Sequence, residues 1–86
     1  MKIIFYGNVL EYTNNEKTYE AKNCTNVRSL IDELGLHYGE GLKNFIMSDE
    51  TCFFLVNGKG IMLTGGLETK LNQQDKIELI PFTEAG

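Results

Sequence analysis

The sequence predicts an α+β domain in which a mixed sheet of four or five strands packs one face on one main helix, joined by a short second helix. Three observations predict it. Short β-branched or aromatic segments recur along the chain, as strands require. A single stretch carries aliphatic residues at i, i+3, i+4 and i+7, the stripe of one helix packed on a sheet. Turn-forming Asn, Gly and Asp residues separate these segments. The chain has 86 residues, 42% hydrophobic and 23% charged, so it closes one core and forms one domain over residues 1–86.

The elements follow in order. Residues 2–6 form a strand with Ile3 and Phe5 on one face and Ile4 and Tyr6 on the other. Gly7-Asn8 breaks it, residues 9–12 continue irregularly, and Thr13-Asn14-Asn15-Glu16 is a turn. Residues 17–22 return as a partner strand carrying Tyr19 and Ala21.

Asn26 is the expected N-cap of the main helix. Val27, Leu30, Ile31 and Leu34 supply its buried stripe, and Gly35 stands where a left-handed residue would end it. Residues 36–47 show a weaker pattern, in which Leu42, Phe45 and Ile46 form a short second helix or a turn. His37, the single histidine, has no acidic or Cys neighbour at ligand spacing and reads as a surface or hydrogen-bonded histidine, not a catalytic one.

Residues 51–56 are the strongest strand, with Phe53 and Leu55 on one face and Cys52, Phe54 and Val56 on the other. Asn57-Gly58 makes a hairpin turn. Residues 59–63 return as a short strand, 64–66 form a loop, and Leu67 and Leu71 anchor the connection to a last strand over 76–80 with Ile77 and Leu79 inward. Pro81 has no backbone donor, so the ladder ends there and residues 82–86 form a flexible tail.

If Ile3, Phe5, Ile77 and Leu79 face the helix, then Ile4, Tyr6 and Ile80 face outward. Phe54 or Phe53 joins them according to register, and Phe54 is the one we assign. A contiguous apolar patch on that face suggests a protein-binding surface. The competing reading is a second small core beneath residues 36–47.

The formal charge of −4, with scattered basic residues, argues against nucleic acid and anionic membranes and favours a basic protein partner. No apolar run is long enough to span a bilayer. Cys24 and Cys52 lack metal or disulfide spacing, Cys52 reading as a buried strand residue, and a reducing cytoplasm is the expected location. No nucleophile, metal or phosphate-loop motif gives the chain chemistry of its own, and Gly58-Lys59-Gly60 continues a hairpin instead of opening a helix.

The Val56-Asn57-Gly58 turn, the stretch from Gly66-Leu67 to Leu71, Asp75 before the last strand, and Pro81 leading to a terminal Gly86 together resemble the MoaD/ThiS family of ubiquitin-like (β-grasp) sulfur carriers. Within it the chain is most similar to the small subunit of molybdopterin synthase. The resemblance covers nearly the whole chain. It implies a β-grasp fold and a carrier without catalysis or a tightly bound cofactor of its own.

In that family the terminal glycine carboxylate, here Gly86, is adenylated with ATP by a ubiquitin-activating-type adenylyltransferase of the MoeB/ThiF kind. It is then converted to a thiocarboxylate that donates sulfur. Pro81, Phe82, Thr83, Glu84 and Ala85 would be the tail that enters the partner's channel, and the face of Ile4, Tyr6, Phe54 and Ile80 would dock on it. The acceptor partner would be a molybdopterin synthase large subunit of the MoaE type, or a thiazole synthase. Length favours the molybdopterin branch, because carriers for thiazole synthesis are generally shorter and lack room for residues 36–47.

The chain departs from the family at its end, Glu84-Ala85-Gly86 standing where members end Gly-Gly. Either Ala85 adds one methyl to a tight channel, or a terminal glycine pair begins at Gly86. A β-grasp interaction module whose terminus is never activated, and a modifier joined to lysines, are the remaining alternatives.

Overall fold

The computed structural model describes residues 1–48 and 52–82. Among them, five strands form one mixed sheet in the order β2-β1-β5-β3-β4: β1 Lys2–Phe5, β2 Thr18–Glu20, β3 Cys52–Val56, β4 Lys59–Gly60 and β5 Lys76–Pro81. β5 is central, parallel to β1 and antiparallel to β3. Two helices, α1 Val27–Tyr38 and α2 Glu40–Met47, complete the α+β architecture.

The register fixes which side chains share a face. Ile3 lies opposite Ile77, and Phe5 and Phe54 both lie opposite Leu79. With period-two alternation, all five point into the core beside the α1 stripe of Val27, Leu30, Ile31 and Leu34. Val9, Ala21, Val56 and Leu71 close its margins, and Leu42 of α2 joins the same core. Residues 36–47 therefore extend the helical layer and form no second core.

α1 begins where its cap predicts. The Asn26 side chain accepts from the Ser29 amide at 2.8 Å, and Ser29 Oγ accepts from the Asn26 amide at 3.2 Å. Its end corrects the expectation at Gly35, for the helix runs on to Tyr38 and stops at Gly39, whose φ is +108°. Gly35 is buried inside the helix, and a Cβ there would meet Lys43 Cβ and Cδ at 3.2 Å. Its missing side chain admits α2, and Lys43 then pairs with Asp32 of α1 at 3.0 Å.

Three other expectations change. Residues 7–12 form a 3-10 helix that drives Val9 into the core. Only Lys59–Gly60 of the expected strand 59–63 pairs with β3, and Ile61–Leu63 turns in a 3-10 helix. Cys52 is half-buried instead of buried, and Cys24 is buried.

Candidate functional site

The hairpin between β3 and β4 turns on two left-handed residues, Asn57 at φ +52° and Gly58 at +85°, as a type I′ turn requires. Asn57 also ties this hairpin to the start of β5. Its Nδ2 donates to Asp75 Oδ1 at 2.9 Å, and its Oδ1 accepts from the Lys76 amide at 3.0 Å. Asp75 Oδ2 accepts from the Asn72 amide at 2.8 Å. The Asn57 and Asp75 of the sequence pattern thus hold β3 and β5 in register. An open depression of about 600 Å³ beside them includes Lys59, Glu68 and Lys70 in its lining.

Correct register of β3 and β5 builds the sheet face turned away from α1. Ile4 and Ile80 lie on it half-buried, and Tyr6 lies on it 36% exposed, as expected. Phe54 does not. It is 6% exposed and sits in the core, while Phe53, opposite Ile80, takes the outward place at 52% exposure. Alternation within β3 left two choices, and pairing with Leu79 selects the inward one for Phe54.

Two residues of this face escaped the sequence reading. Leu55 and Glu78 lie opposite one another, with Ile4 on the other side of Glu78. The signal was present, since Lys76, Glu78 and Ile80 share one face of a period-two strand. Glu78 Oε2 accepts the Tyr6 hydroxyl at 2.8 Å. That bond, with desolvation and the carboxylate's charge, raises the Tyr6 phenol above its ordinary value.

The end of β5 corrects one boundary of the expected tail. Pro81 is the last residue of the strand, buried and opposite Cys52, so it anchors the tail and does not belong to it. Phe82 is 41% exposed and packs its ring on Phe53, centroids 4.3 Å apart. Thr83, Glu84, Ala85 and Gly86 lie outside the described residues. Phe82 thus stands on the rim of the outer face.

On the other side of the sheet, Glu33 accepts from the Tyr19 hydroxyl and, at 3.1 Å, from Cys24 Sγ. Burial first, then this bond to Glu33, pushes the Cys24 thiol up to about 12, which leaves it a poor nucleophile. His37 is exposed and rests against Tyr19 and Tyr38. Among the described residues no group of three or more His, Cys, Asp or Glu side chains could hold a metal ion. Among them, too, no helix is long and apolar enough to cross a membrane.

Comparison with known proteins bears on the whole of this arrangement. Residues 3–84 match the sequence model of the ThiS family. No curated protein sequence matches the chain. Among solved structures, CysO in the Amycolatopsis orientalis BexX/CysO complex superposes with a TM-score of 0.82 at 20% identity, covering 99% of this chain and 98% of that one. Mycobacterium tuberculosis CysO gives 0.82 at 17% identity, covering 93% and 96%. A Pyrococcus furiosus protein described as putative molybdopterin converting factor subunit 1 gives 0.64 at 18% identity, covering 93% of both chains. The fold is that of these ubiquitin-like proteins.

Proposed function

The chain belongs to the ThiS family of ubiquitin-like sulfur carriers, and from that membership we infer that its terminal carboxylate at Gly86 is the working group. The carboxylate attacks the α-phosphate of ATP in a ubiquitin-activating-type enzyme, releasing pyrophosphate, and a sulfide-level sulfur nucleophile from a donor then displaces AMP to leave a thiocarboxylate. The family match over residues 3–84 carries this reading.

The physical layout supports it. An acyl adenylate forms only if the carboxylate reaches the α-phosphate inside another protein, so the chain end must leave the domain from a place where that protein can dock. Pro81 ends the central strand and Phe82 stands at the rim of the apolar outer face. Docking on Ile4, Tyr6, Phe53 and Ile80 would therefore bring the last residues to the enzyme. The carrier supplies position, and the enzyme supplies the chemistry.

Among acceptors, a pterin precursor of the molybdenum or tungsten cofactor is the one we favour. Residues 36–47, which carry the end of α1 and all of α2, are the segment that thiazole-forming carriers generally have no room for. The large subunit of a molybdopterin synthase is then the acceptor partner.

The test is direct. The chain, ATP, a sulfur donor and the adenylyltransferase encoded with it are incubated, and the C-terminal peptide is weighed. One oxygen of Gly86 should be exchanged for sulfur, and deletion of Ala85-Gly86 should abolish both the exchange and partner function. An unchanged mass, or partner function that survives the deletion, would establish a non-activated interaction module in its place.

A further inference from the structure

The outer sheet face carries a carboxylate at the middle of its apolar surface. Glu78, on the central strand, lies between Ile4 of β1 and Leu55 of β3, and the next outward residue of β5, Ile80, lies beside Phe53. The Glu78 side chain is only 17% exposed. A carboxylate this sheltered carries a desolvation cost unless it is paired.

Its pairing within the chain is incomplete. Oε2 accepts the Tyr6 hydroxyl at 2.8 Å and stands 3.9 Å from Lys76 Nζ, a largely exposed ammonium whose long contact contributes little. Oε1 has no hydrogen-bond partner among the described residues. A carboxylate accepts through both oxygens, and a docked surface that excluded water from this face would strand the second one.

We propose that Glu78 is the charge-reading centre of the outer face, and that the activating enzyme docked there presents an arginine guanidinium, framed by aliphatic groups, to Oε1. An arginine fits better than a lysine because its planar, weakly hydrated cation can lie among apolar side chains and stack on the rings of Tyr6 and Phe53. The remaining chain charge points the same way, since a net −4 steers toward a basic surface. A second copy of this chain fits badly. A two-fold pairing of the face would bring Glu78 toward its own counterpart, burying two like charges between two acidic chains.

The inference rests on the carrier reading only for the identity of the partner, and one set of measurements separates the two. Binding of the full chain to the ubiquitin-activating-type adenylyltransferase encoded with it is measured by calorimetry. ATP–pyrophosphate exchange is followed alongside. Glu78→Gln keeps the shape and the acceptor for Tyr6, and should weaken binding roughly 30-fold, the loss expected when one partner of a sheltered charge pair is neutralised. The loss should appear in KM, with kcat at saturating carrier unchanged. Glu78→Arg should abolish binding, whereas Asp32→Asn, which neutralises an exposed carboxylate on α1 on the opposite side of the sheet, should bind within about threefold of the native chain.

Glu78→Gln binding within about twofold of the native chain overturns the proposal, even if exchange is normal and the carrier reading stands. So does a Glu78→Gln chain that gains self-association with no change in enzyme binding. Glu78-dependent binding without exchange has the opposite meaning, upholding the docking surface and removing the carrier reading. A native chain that fails to bind the enzyme overturns both.

Discussion

Replacing Asn57 with alanine should destabilise the fold by about 2–3 kcal/mol, although the residue is exposed. Two losses add. The bonds to Asp75 Oδ1 at 2.9 Å and from the Lys76 amide at 3.0 Å vanish. In an exposed setting they are worth about 0.5–1 kcal/mol each. The third contribution is conformational. Asn57 holds φ at +52°, a region that costs an alanine about 1 kcal/mol more than it costs asparagine or glycine.

Asn57→Gly loses the same bonds without that penalty, so it should cost about 1–2 kcal/mol, roughly 1 less than alanine. Urea denaturation of the two variants measures the difference, and in a domain of this size about 1 kcal/mol moves the melting temperature by roughly 4–8 °C. Asp75→Ala in the Asn57→Ala background should be less than additive, because the shared bond can be lost only once. Two results would refute this reasoning. One is an alanine variant within about 0.5 kcal/mol of the native chain, and the other is a glycine variant as unstable as alanine.

Phe54→Ala should cost about 3–5 kcal/mol because the ring fills the core, and Phe53→Ala should cost under about 1 kcal/mol while weakening partner binding; thermal melts paired with a binding assay separate the two neighbours. Cys24 should resist alkylation at pH 8 until the fold opens, which mass spectrometry of the labelled peptide reads directly. Tyr19 is raised from 10.0 to about 12, chiefly by burial and then by its bond to Glu33. A phenol whose folded value lies above its unfolded value stabilises the fold fully below the unfolded value and loses that stability on ionising. The loss should therefore fall between pH 10 and about 12, and phenolate absorbance should rise together with unfolding in that window. In Tyr19→Phe the alkaline transition should become shallower.

The elements that the sequence made legible are those specified by neighbours along the chain. Asn26 and the Val27, Leu30, Ile31, Leu34 stripe mark a helix start locally, and Asn57-Gly58 marks a hairpin because two residues at positive φ suffice for it. The failures have one cause. Gly35 is a stop signal by local rules, but a glycine also permits close approach, and only the position of Lys43 reveals which use is made of it. Residues 61–63 are apolar enough for a strand, but a strand exists only where a partner offers bonds, and β3 offers them only to Lys59 and Gly60.

The candidate site divides in the same way. Ile4, Tyr6 and Ile80 were legible as outward residues once their strands were identified, because side chains alternate along a strand. Phe53 against Phe54 was not, since alternation gives two faces without saying which is inner. Glu78 is plain in the sequence as a charge in a strand, yet its shelter arises from Ile4 and Leu55, which are 74 and 23 residues away along the chain.

By itself the sequence determined where α1 begins, where the Asn57-Gly58 hairpin turns, which residues alternate within each strand, and that a last strand runs up to Pro81. The tertiary structure decided which face of each strand is buried, how far α1 runs, and that Phe82 rests on Phe53. Local rules depend on torsion angles and on side chains a few residues apart. Burial depends on which distant segment arrives to exclude water, and that is settled only when the sheet has assembled on α1.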